Sequence, residues 1–111
     1  MSAVPEVDPA DAQRLADDED ALLLDVREDD EWAAGHAPGA VHLRLGLLAQ
    51  QRPERGRRIV AVCRTGARSG RATEVLNQWG YDAVNLAGGM QAWAASGLPV
   101  VTDDGGPGTV A

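Results

Sequence analysis

Four short apolar runs set the tightest limit on how this chain can fold: ALLLDV (21–26), AVHL (40–43), IVAVC (59–63) and AVNL (83–86). They are continuous rather than alternating, which suits strands covered on both faces. Helical patterns lie between or beside them. Asp8-Pro9 is a good N-cap and first-turn pair for a helix through about Asp17. EDDEWAAG starts with acids, which a helix N-terminus favours, and stops at Gly35. In RATEVLNQWG, Ala72, Val75, Leu76 and Trp79 fall at i, i+3, i+4 and i+7, and Gly80 supplies the stop. GGMQAWAASG reads as one more short helix. Strands alternating with helices imply a mostly parallel sheet with helices on both faces. In such a sheet ligands bind beyond the carboxyl ends of the strands, where Asp25, Arg27, Cys63 and Gly88-Gly89 would meet.

With 111 residues and no internal repeat, one domain is expected. The closing TDDGGPGTVA (102–111) has nothing evident to bury and is expected to be mobile. The opening MSAVPEVDPADAQ has neither a basic start nor an apolar stretch, so it does not read as a signal peptide. No segment approaches the length of a membrane span, and a cytoplasmic location is the default expectation. A single cysteine rules out an internal disulfide and an internal resolving thiol. The net charge of −7 argues against nucleic acid as a partner. His36, His42 and Cys63 lack metal-ligand spacing, so no metal and no cofactor is expected. His36 reads as a turn residue, and Trp32, Trp79 and Trp93 read most simply as core.

Basic charge is nevertheless concentrated. All ten basic residues are arginines, and Arg55, Arg57, Arg58, Arg64, Arg68 and Arg71 lie between Glu54 and Glu74 with no acid among them. The first three read as a solvated patch. Arg64 and Arg68 flank the only thiol in CRTGARS, where an apolar run meets a Gly-containing loop and then a helix. That layout turns backbone N–H groups towards one point. Helix N-termini and nearby cations lower a thiol's pKa, so Cys63 is expected to be substantially thiolate at neutral pH. Cations in a first helical turn oppose the dipole, which makes sense when an anion occupies the loop. Arg71 is open to a second reading, as an i+3 partner of Glu74.

LLDVREDDEWAAGHAPGAVHL, CRTGARS and GGMQAWAASGLP together resemble, in order, the motifs of the rhodanese family. Ala37 and His42 depart from its commoner residues, away from the loop. The resemblance implies a single rhodanese domain over 1–101, a three-layer α/β/α fold on a five-stranded, mostly parallel sheet. It implies a sulfurtransferase in which Cys63 attacks the outer sulfur of thiosulfate or a similar small anionic donor. Sulfite leaves, a persulfide remains, and cyanide or a thiol collects the sulfur. By position, the loop of Arg64, Thr65, Gly66, Ala67, Arg68 and Ser69 would bind substrate, its amides holding the persulfide and its arginines the oxyanion. Asp25 and Arg27 would support the loop. Two alternatives accompany this reading. One is a persulfide carrier that hands sulfur to a relay partner. The other is a phosphatase or arsenate reductase of the same fold, against which Cys63 to Arg68 is one residue shorter than the C-x5-R loop those enzymes resemble.

Overall fold

The computed structural model describes residues 4–111. Five strands form one parallel sheet: β1 (Glu6–Val7), β2 (Leu22–Asp25), β3 (Val41–His42), β4 (Ile59–Val62) and β5 (Ala83–Leu86), in the spatial order β1-β5-β4-β2-β3. Every residue of the three central strands is buried. Because side chains on a strand point alternately up and down, each continuous apolar run feeds two cores at once. Leu23, Val60, Val62, Val84 and Leu86 face one side with Ala12, Leu15, Met90 and Trp93. Leu22, Leu24, Ile59, Ala61 and Ala83 face the other with Ala72, Leu76 and Tyr81.

The helices complete the layers. In α1 (Pro9–Asp18) the Asp8 carboxylate accepts from the Asp11 N–H at 2.8 Å, and Ala12 and Leu15 turn inward. α4 (Gly89–Ala95) packs on the same face through Met90 and Trp93. α3 (Ala67–Gln78) covers the opposite face, with a 3₁₀ turn at Leu45–Leu47 beside it. The short α2 (Asp29–Ala34) buries no residue; a reciprocal cap between Glu28 and Glu31 holds its start. No helix among the described residues is long and apolar enough to cross a membrane.

Three expectations need correction. Residues 102–111 fold back on the domain instead of trailing from it: Gly108 N–H donates to Val100 O at 2.8 Å, Thr109 N–H to Ala34 O at 2.9 Å, and Val110 packs on the core. Their backbone hydrogen bonds, rather than apolar composition, hold them. Only Trp93 of the three tryptophans is fully enclosed, at 1% exposure. Trp32 is half-buried, stacked on His36 at 3.5 Å and on His42 at 4.9 Å, and donates to Asp103. Trp79 is half-buried: it packs against the core on the α3 side, as expected, and lies under the Arg52 guanidinium at 3.8 Å. The patch expected at Arg55, Arg57 and Arg58 is largely engaged: Arg57 pairs with Asp20 and Glu54, Arg58 with Asp82, and Arg55 covers the Tyr81 ring.

Candidate active site

The carboxyl ends of β2, β4 and β5 bring together Asp25, Cys63 and Gly88. Cys63 follows the last residue of β4, and the chain then turns through Arg64–Gly66 into α3. Gly66, at φ 107°, takes the left-handed conformation that starts the helix. The turn aims donors at the sulfur: the Gly66 N–H lies 3.0 Å from Cys63 Sγ and the Ser69 hydroxyl 3.2 Å from it. Met90 N–H donates to Cys63 O at 2.8 Å and Gln91 N–H to Arg64 O at 3.0 Å, so the first turn of α4 grips the loop's carbonyls from outside. This grip requires glycine at 89. A Cβ there would lie 2.5 Å from Cys63 O and from the carbonyl of Arg64, and its φ of +59° disfavours a side chain.

Cys63 is 1% exposed. Burial pushes its thiol up, but the Ser69 hydroxyl and the amides of Ser69, Gly66 and Thr65 outweigh it, so the pKa lies below its ordinary value. The hydroxyl and the peptide groups therefore lead where the sequence reading had also enlisted cations.

Asp25 and Arg27 are fully buried and form a forked ion pair, with Arg27 Nη2 at 2.7 Å and Nε at 2.9 Å from the carboxylate. Arg27 also donates to Gly35 O at 2.8 Å, and its own carbonyl is bonded by His42 Nε2 at 2.7 Å. The pair ties the end of β2 to the turn after α2 and to β3. It lies buried at the carboxyl end of β2.

Arg64, Thr65 and Ala67 are exposed, Gly66 and Arg68 are half-buried, and Ser69 is buried. Arg68 is already occupied: its two Nη atoms meet the Glu31 carboxylate at 2.6 and 2.8 Å. The Arg68 hydrogen bonds, acting against burial, hold Glu31 at a pKa of about 2, while Glu31 raises that of Arg68 further. Among the described residues Arg64 makes no ion pair, and Arg71 makes none with Glu74. Among the same residues no group of three His, Cys, Asp or Glu side chains is placed to hold a metal.

Two residues of the site escaped the sequence reading. Asn85 on β5 accepts from the Ser69 hydroxyl at 2.5 Å and donates to Gly66 O at 3.0 Å and Glu6 at 3.1 Å, so it fixes the hydroxyl that serves the sulfur. Its signal was a lone amide in the buried run AVNL, since buried polar groups need partners. Glu31 gave no signal beyond its place in a helix cap.

A model of the rhodanese-like domain matches residues 8–96. A sulfurtransferase of Allochromatium vinosum is 46% identical over 97 residues, covering 85% of this chain and 91% of that protein. YrkF of Bacillus subtilis, provisionally named a sulfur carrier protein, is 34% identical over 96 residues, covering 83% of this chain and 52% of that protein. Among solved structures, a rhodanese-related protein of Thermoplasma volcanium superposes with a TM-score of 0.83 at 30% identity, covering 89% of this chain and 99% of that one.

Proposed function

This chain belongs to the rhodanese-like domain family, and on that premise we propose that it is a sulfurtransferase storing one sulfane sulfur on Cys63. The observation that carries this reading is the paired donation to the buried Cys63 sulfur, from the Gly66 amide at 3.0 Å and the Ser69 hydroxyl at 3.2 Å. The Gly66 amide is fixed before reaction and favours the anionic sulfur without reorganising, and the Ser69 hydroxyl turns its proton to that sulfur once it is ionised. The Cys63 thiolate attacks the outer sulfur of a donor such as thiosulfate. The S–S bond breaks, its electron pair leaves with sulfite, and Cys63–S–S⁻ remains. Cyanide or a thiol then attacks the outer sulfur, and the thiolate is restored. The loop amides bind the persulfide as they bound the thiolate, and Arg64, exposed on the same loop, meets the donor's charged end.

Steady-state kinetics with thiosulfate and cyanide test the scheme. Parallel double-reciprocal lines are expected, and complete loss of turnover in Cys63→Ser. Intersecting lines, or residual transfer in that variant, would overturn covalent storage on this sulfur.

A second reading, a carrier loaded by a desulfurase and unloaded onto a partner protein, draws on the likeness to YrkF. It predicts slow turnover of thiosulfate beside fast loading from a desulfurase supplied with cysteine.

A further inference from the structure

The loop offers two guanidinium groups, and Glu31 has taken one of them. Both Nη atoms of Arg68 are committed to its carboxylate, in the planar fork that matches guanidinium to carboxylate best. Glu31 cannot easily swing away, because its Oε1 also accepts from the Glu28 N–H at 3.0 Å and its side chain is only 16% exposed. An oxyanion approaching Arg68 meets a seated carboxylate first. Glu31 offsets the Arg68 charge directly, and the Cys63 thiolate and Glu28 also act on that guanidinium. A dianion therefore finds one loop guanidinium without a carboxylate partner among the described residues, Arg64.

We propose that Glu31, by holding both tips of the Arg68 guanidinium, biases the Cys63 site away from thiosulfate and towards persulfides of small thiols as sulfur donors. The proposal rests on the sulfurtransferase reading above. A persulfide R–S–SH presents a single narrow sulfur to an enclosed thiolate and carries no sulfonate at its reacting end. Cys63–S⁻ attacks that outer sulfur, the S–S bond of the persulfide breaks, and its electron pair leaves on R–S⁻. Cys63–S–SH is formed, with no net oxidation. The departing sulfur atom itself bears one charge, where sulfite bears two, and Arg64 is the loop guanidinium left to meet it. Glu31 touches neither donor nor product; it acts as a positioning residue, through Arg68.

The test compares thiosulfate with glutathione persulfide as donors to the full chain, each with cyanide as acceptor. For the wild type, kcat/KM is expected to be higher with glutathione persulfide. Glu31→Gln keeps the oxygen that caps α2 and removes the charge. It should lower the KM for thiosulfate about tenfold with kcat changed less than about twofold, and leave the KM for glutathione persulfide within about twofold. Adding Arg68→Gln to that variant should return the thiosulfate KM at least to its wild-type value, which a merely structural role for Glu31 would not produce. A thiosulfate KM that stays put or rises in Glu31→Gln, or equal changes for both donors, would overturn the proposal. So would a wild-type preference for thiosulfate, whether or not the variant folds. Absence of turnover with either donor would instead remove the sulfurtransferase reading beneath it.

Discussion

Ser69 has one hydroxyl proton and two acceptors in reach, Cys63 Sγ at 3.2 Å and Asn85 Oδ1 at 2.5 Å. The Asn85 amide hydrogens are held by Gly66 O and Glu6, so its oxygen is the atom that faces Ser69. The proton can rest on Asn85 while the thiol is neutral and turn to the sulfur when it ionises. This makes Ser69 the largest single influence lowering the Cys63 pKa, against the opposing effect of burial. Only the thiolate is alkylated, so the rate with iodoacetamide climbs with pH and levels off above the thiol's pKa. Removing a factor that lowers the pKa moves that midpoint up. Ser69→Ala should therefore slow alkylation at pH 7 by about tenfold, as for loss of a hydrogen bond to a charged group, and leave the rate at high pH unchanged. An unmoved profile would take the hydroxyl out of the account.

At the scale of elements, the active loop is shaped from behind as much as from within. The first turn of α4 bonds to the carbonyls of Cys63 and Arg64, which leaves the loop's amides free to point at the sulfur. Gly89→Ala would drive a methyl group against those same backbone atoms at a left-handed residue. It should cost about 2–4 kcal/mol of stability by denaturant unfolding and slow sulfur transfer. A loss below about 0.5 kcal/mol with normal turnover would show that the close approach is not required. The elements themselves were unevenly legible. β2, β4 and β5 stood out because a strand buried on both faces is largely apolar, and α1 and α3 because their caps and spacing agreed. β1 is two residues, one of them exposed, and carries no pattern. The return of 102–111 rests on main-chain bonds that composition does not register.

Across the whole molecule, the parallel sheet gathers at one rim groups that are far apart in the chain. Cys63 and the span from Arg64 to Ser69 were readable because the loop is contiguous. The partner of Arg68 was not, since Glu31 lies 37 positions away and nothing local distinguishes it from its acidic neighbours. An acidic chain of net charge −7 thus surrounds a loop whose own cations are half neutralised, and the Ser69 hydroxyl and the loop's peptide groups stabilise the sulfur in their place. The central claim is that this sulfur accepts and holds another. Intact mass of the protein after incubation with thiosulfate or glutathione persulfide, and removal of the excess, tests it most directly. The account predicts a gain of one sulfur atom, reversed by cyanide and absent in Cys63→Ser. An unchanged mass with both donors, or the same gain in that variant, would contradict it.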